Sequence, residues 1–199
     1  MPDITRQCLY FEQPGKLNTS KVITAVVARL DEGDISTVVV ASTTGNTALQ
    51  LAEALEGRQV QLISISEPAL LREWGAAYPC LPEPTKAELE RRGVVVADKV
   101  PYVLHSSLLD YSQWKMPTPE VLFRETLYSF GQGVKVAVEV VLMAVAAGFL
   151  EPYQDVIGIG GSSRGADSAI VLRATYPNHV FSEDESKRLR IREILCMPR

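Results

Sequence analysis

Three consecutive valines, Val38-Val39-Val40, are the feature that most restricts the fold open to this chain. A β-branched run with no alternating polar residue describes a strand buried on both faces, and such strands belong to parallel sheets covered by helices on each side. Ser36 to Ala41 is therefore expected to be the central strand. Ser42-Thr43-Thr44-Gly45-Asn46-Thr47 follows, then a helical stretch from Thr47 to Leu55, a break at Gly57 and a second strand from Val60 to Ile65. This is a βαβ unit.

The remaining segments extend the same pattern. Tyr10 to Asn18, with Pro14-Gly15, reads as a loop before a helix carrying Val22, Val26, Val27 and Leu30. Glu67 to Pro84 reads as an irregular covering loop, Thr85 to Arg92 as a helix, Val94 to Ala97 as a short strand, and Tyr102 to Met116 as a second irregular segment. Glu120 to Tyr128 and Val134 to Ala147 are expected helices, Val156 to Ile159 a strand and Ala169 to Ala174 a strand at the sheet edge. Ser182 to Arg192 is strongly charged and expected to be solvated, and Ile194-Leu195-Cys196 is expected to add an edge or interface strand. No internal repeat is found.

With 199 residues, 46% of them hydrophobic, the chain is long enough for one domain spanning residues 1–199 with a full core. The net charge of -4 includes no basic stripe, which argues against a nucleic-acid partner. Cys8, Cys80 and Cys196 are scattered and odd in number, so neither a disulfide framework nor a zinc site is suggested, and a cytoplasmic location is expected. The beginning of the sequence carries no secretory pattern. Lys135 and Glu139 interrupt the apolar stretch from Val134 to Leu150, leaving it well short of the roughly 20 residues a bilayer requires, so no membrane partner is expected.

The loop from Ser42 to Thr47 carries the clearest chemistry. Hydroxyls, backbone amides at a helix start and a glycine without Cβ are what a phosphate needs: several donors converging without crowding. The spacing S-x-T-G-x-T also resembles the phosphate loop of flavodoxins, which holds flavin mononucleotide (FMN) without a lysine. An ordinary capped turn explains fewer of these residues. A valine at Gly45 is accordingly expected to abolish binding while leaving the fold intact.

Gly158 to Gly165 also follows a strand, but its glycines do not make the G-x-G-x-x-G fingerprint. It is either a turn or a second wall of the same cleft. Gly131-Gln132-Gly133 opens the most apolar helix, in which Lys135 and Glu139 share one face, either as a mutual ion pair or as ligand contacts. His105 and His179 are the two histidines, with no partners at metal-ligand spacing. His105 is either a ligand-orienting residue or a solvated loop residue. Trp74, Tyr78, Tyr102 and Trp114 are aromatic candidates for stacking on a flavin or for pinning loops.

Taken together, Tyr10 to Lys16 with Asn18-Thr19, Val39 to Ala48, Phe130 to Glu139, Gly160 to Ser168 and Glu193 to Arg199 resemble the C-terminal α/β domain of pyruvate kinase, in the small proteins where that domain stands alone without the catalytic barrel. The resemblance implies a three-layer α/β fold with a mainly parallel five-stranded sheet and an antiparallel edge strand at Ala169 to Ala174. It implies binding before catalysis: in pyruvate kinase the loop matching Ser42 to Thr47 takes a sugar phosphate effector, helped by a glycine loop matching Gly160 to Gly165. The stand-alone members are associated with FMN. The expected ligand is thus a small phosphorylated molecule, FMN first and a sugar phosphate second, with a flavin-dependent oxidoreductase as a further alternative. The expected binding residues are Ser42, Thr43, Thr44, Gly45, Asn46, Thr47, Lys16, His105, Gly131, Gln132, Gly133, Lys135, Gly160 and Gly161. A homo-oligomer is expected from the apolar surface of Val134 to Ala147 and of the C-terminal segment.

Overall fold

The valine run forms strand β2 (Thr37–Ala41), and its two faces feed two separate cores, Val38 and Val40 on one side and Val39 on the other. The computed structural model describes residues 3–105, 110–113 and 116–199. Around β2 stand β1 (Leu9–Phe11), β3 (Gln61–Ile65), β4 (Val95–Ala97), β5 (Asp155–Gly160), β6 (Ser168–Arg173) and β7 (Ile191–Pro198). They form one seven-stranded sheet in the order β1-β7-β6-β5-β2-β3-β4. Only β6 runs against the rest: β5–β6 and β6–β7 are antiparallel and the other four pairings are parallel.

The sheet is therefore wider than the five strands expected. The antiparallel strand is also internal, because β7 and then β1 continue the sheet beyond β6. Leu9–Phe11, of which Tyr10 and Phe11 were expected to belong to a loop, is the outer strand, pairing Leu9 with Cys196 and Phe11 with Pro198. The segment around Ile194 to Cys196 is consequently covered on both sides rather than forming an edge, and β2 lies next to the middle strand β5 rather than at the centre.

Helices α1 (Thr19–Leu30), α2 (Asn46–Ala54) and α3 (Glu83–Arg91) cover one face, burying Val22, Val26, Leu51 and Leu89 against Val38, Ile157 and Ile159. Helices α4 (Pro119–Tyr128) and α5 (Gln132–Ala146) cover the other, burying Leu127, Val138 and Leu142 against Val39, Ile63 and Ile170. The result is a three-layer α/β arrangement. Its apolar helix α5 is buried within the one chain almost throughout, from Gly133 to Val145. A homo-oligomer would thus need a surface other than this helix. No helix among the described residues is long and apolar enough to cross a membrane.

Helix α5 lies close on β5 because β5 presents glycines to it. A Cβ built on Gly160 would stand 2.2 Å from the Gly133 carbonyl oxygen and 2.7 Å from the Ala137 amide nitrogen, and one on Gly158 would stand 2.6 Å from the Ala137 carbonyl oxygen. These neighbours are backbone atoms, which cannot rotate aside. Gly160→Ala is therefore expected to cost about 3 kcal/mol through overpacking. Urea unfolding would measure it, and a loss below about 1 kcal/mol would mean that α5 moves freely on the sheet.

Candidate functional site

In an open α/β sheet the ligand crevice lies beyond the carboxyl ends of the parallel strands, where chain direction across the sheet changes. Here β2 leads through α2 to β3 on one side, while β5 leads to β6 on the other. A cavity of about 210 Å3 opens at this end, on the α5 face. Its floor and walls come from Ala41, Ser42 and Thr43 after β2, Ile65, Ser66 and Glu67 after β3, and Gln132, Lys135, Val136, Glu139, Val140 and Met143 of α5. Trp74, Tyr102, His105 and Tyr128 close the remaining sides.

Two polar groups line it. In the first, Thr43 Oγ1 donates to Glu67 Oε1 at 3.2 Å, and the Tyr102 hydroxyl donates to Glu67 Oε2. Burial, reinforced by Glu67, pushes the Tyr102 phenol up, so it stays a donor. In the second, Lys135 and Glu139 form an ion pair one helical turn apart, each side chain only 3% exposed. Lys135 Nζ also lies 2.8 Å from His105 Nε2, and the Leu104 amide donates to Glu139 Oε1 at 3.0 Å.

Behind His105, Arg124 Nη1 contacts Asp110 Oδ2 at 2.8 Å and the Leu104 carbonyl at 3.0 Å. Those two acceptors suffice for its two hydrogens, which leaves the imidazole's single acceptor for Lys135. We assign the ring proton to Nδ1 on that ground; Nδ1 lies 3.0 Å from Arg124 Nη1, which the assignment makes a contact between two donors, and 3.9 Å from Asp110 Oδ2. Burial first, then the positive Lys135 and Arg124, push the His105 imidazole down to about 4. It is a neutral acceptor, not a solvated loop histidine.

The phosphate-type loop divides. Ser42 and Thr43 line the cavity, whereas the residues from Gly45 onward turn toward the opposite face of the sheet, where α2 packs. The Ser42 hydroxyl accepts from the Ala48 amide at 3.2 Å and so caps the helix. Thr44 and Asn46 are exposed and Thr47 is buried in the first turn. Among the described residues, none accepts a hydrogen bond from the amides of Thr44, Gly45, Asn46 or Thr47.

Gly45 has a φ of +88°, and a Cβ there would meet Thr85 Cγ2 at 2.4 Å and Leu81 Cδ1 at 2.9 Å. The glycine thus serves the turn and the α3 contact, and the expectation that valine would spare the fold is replaced. Gly45→Val is expected to lower stability by about 3 kcal/mol, from left-handed strain plus overpacking, besides any effect on binding. A melting temperature unchanged from wild type would contradict this.

Of the other expected residues, Gln132 and Lys135 line the cavity and Gly131 stands just before α5, while Gly133 faces away toward Asp167 and Ser168. Gly160 and Gly161 are packing positions, the first under α5 and the second against the Gly165 carbonyl. Lys16 is exposed beside Gly165, outside the cavity wall. That second loop is organised by the fully buried Asp167, whose Oδ2 accepts from the Gly15 amide at 2.8 Å and the Ser162 amide at 3.0 Å. Trp74 and Tyr102 line the cavity, Tyr78 instead pins its loop through Asp98, and Trp114 falls outside the described residues.

Glu67, Tyr128, Arg124 and Asp110 were not singled out from sequence. The i,i+4 pairing of Lys135 with Glu139 was the signal that a polar wall existed, but Glu67 and Asp110 sit in irregular segments with no period to reveal them, and Arg124 and Tyr128 are ordinary polar positions on α4. Among the described residues no group of three or more His, Cys, Asp or Glu is placed to hold a metal ion. No family model matches the chain.

A pH dependence follows from His105. Its proton affinity is depressed in the folded state, so between pH 6.5 and about 4 the unfolded chain binds a proton that the folded site refuses. Stability should therefore decrease as the pH is lowered from 6.5 to about 4, and the melting temperature of His105→Gln should decrease less steeply than that of wild type. Parallel melting curves for the two proteins across the window would contradict the assignment.

Proposed function

We propose that this protein binds a small phosphorylated ligand, its phosphate on the loop from Thr43 to Thr47 and its remainder in the adjoining cavity. The observation that carries the reading is the set of amides at the start of α2 that no described residue engages, beside a cavity edged by the same loop. Amides at a helix start favour an anion through both their hydrogens and the helix dipole.

FMN is the first ligand proposed. The Thr44 hydroxyl and the loop amides suit its phosphate, and Trp74, Tyr102 and Tyr128 offer aromatic walls for part of its ring. Bound there, a flavin would supply electron-transfer chemistry, while Glu67 and Lys135 would act as acceptor and donor to its polar edge. A sugar phosphate is the second reading, favoured by size: about 210 Å3 lies below the roughly 300 Å3 at which pockets for drug-sized ligands begin. In that reading Glu67 and Glu139 accept from sugar hydroxyls.

Isothermal titration with FMN, riboflavin and glyceraldehyde 3-phosphate tests the proposal. The phosphorylated compounds are expected to bind and riboflavin to bind far less tightly. Thr44→Val removes one charge-assisted donor and should weaken FMN binding by about 1.5 to 3 kcal/mol, about ten- to a hundredfold. Equal affinity for riboflavin and FMN, together with no binding of glyceraldehyde 3-phosphate, would refute the phosphate site.

A further inference from the structure

The ion pair in the cavity wall calls for an account beyond ligand binding. Lys135 and Glu139 are each 3% exposed, on a helix otherwise packed by Val, Leu, Met and Ala. Taking two charges out of water is costly, and apolar residues of similar volume often hold such a position at least as well. The Lys135 ammonium has three hydrogens. Glu139 Oε2 takes one and His105 Nε2 another, and among the described residues no acceptor takes the third, although Lys135 lines the cavity. Glu139 is itself held in place by the Leu104 amide through its other oxygen.

We propose that Lys135 is a carbonyl-reactive amine, which condenses with the aldehyde or ketone carbon of a short phosphorylated molecule in this cavity while Glu139 shuttles the protons. The substrate class rests on the phosphate site proposed above, whereas the amine chemistry does not. Glu139 Oε2 takes one ammonium proton across the contact that already joins the two groups. The freed lone pair on Nζ attacks the carbonyl carbon, and the C=O π electrons move to oxygen. A proton passes from nitrogen to that oxygen, giving a carbinolamine. Glu139 returns its proton as the hydroxyl leaves as water, and the nitrogen lone pair forms the C=N bond.

The sum is one ammonium and one carbonyl giving one protonated imine and one water, with no oxidant or reductant consumed. The positive charge stays on Nζ. The carboxylate of Glu139 therefore serves the single N–H of the product as it serves the ammonium, and the contact with His105 is given up on condensation. A short substrate suits the cavity volume, and Thr43, Glu67 and Tyr102 on the opposite side suit its hydroxyls.

The test uses the whole protein with glyceraldehyde 3-phosphate or with glyceraldehyde, in the presence of cyanoborohydride to trap imines, followed by peptide mapping of modified lysines. Lys135 is expected to be modified ahead of the exposed Lys16, Lys21, Lys99 and Lys187 despite its burial. The phosphorylated aldehyde should react there about ten- to a hundredfold more efficiently than glyceraldehyde, the value of one charge-assisted anchor. Glu139→Gln should slow trapping at Lys135 about a hundredfold and leave the exposed lysines unchanged. Should that variant fail to fold, the ranking of lysines in the wild-type protein decides the matter. Equal trapping at Lys135 by both aldehydes supports the amine chemistry and overturns the phosphorylated substrate class. Modification of Lys135 no faster than that of the exposed lysines, with either aldehyde, overturns the proposal, and the flavin titration stands apart from that result.

Discussion

Where β5 carries Gly158 and Gly160, the backbone of α5 meets the backbone of the sheet with no side chain between them. That contact sets the height and the axial position of the helix together. A helix advances about 1.5 Å per residue, so slippage by even one residue would rotate Lys135 and Glu139 away from the carboxyl ends of β2 and β3. With α5 seated, Val138, Val141 and Leu142 complete the core beneath it, and its first three turns border the cavity. The polar wall is a consequence of an apolar fit.

The same wall is tied together by a stretch with no regular secondary structure. Tyr102 donates to Glu67, the Leu104 amide to Glu139 and its carbonyl accepts from Arg124, while His105 accepts from Lys135. Each of these four groups answers a partner on a helix or at a strand end. Buried backbone polar groups must find partners somewhere, and here the segment satisfies its own needs by satisfying those of the charged residues. An irregular chain can be as firmly determined as a helix when its hydrogen bonds are of this kind.

Much of this was legible in the residues. The valines of β2, the apolar run of α5 and the glycine stops placed most helices and strands within a residue or two, because burial leaves a period in the sequence. The outer half of the sheet was harder to read. Leu9–Phe11 has only three residues, of which only Phe11 is buried, and its partner lies at the far side of the sequence, so no local pattern marks it. The internal position of β6 depends on that same distant pairing. At the site, Lys135 and Glu139 were identifiable as charges in an apolar helix and His105 only as a loop histidine with or without a ligand, whereas Glu67, Asp110 and Arg124 gain their meaning only from neighbours in space. The glycines were recognised as special and given one cause too many: Gly133, Gly160 and Gly161 admit protein atoms.

The pairing of Leu9 with Cys196 and of Phe11 with Pro198 also bears on how the molecule is made. During synthesis on the ribosome the strands from β2 to β6 emerge before β7, so for that interval β6 has a bare edge and Leu9–Phe11 has nothing to dock on. Contacts so remote in sequence close late and slow the final step of folding. Until they close, the free side of β6, with buried Ile170 and Leu172 nearby, is a template for the wrong strand. The last of these seven strands to leave the ribosome is thus the one that protects the rest, and a nascent chain stalled before it would be a natural client for a chaperone.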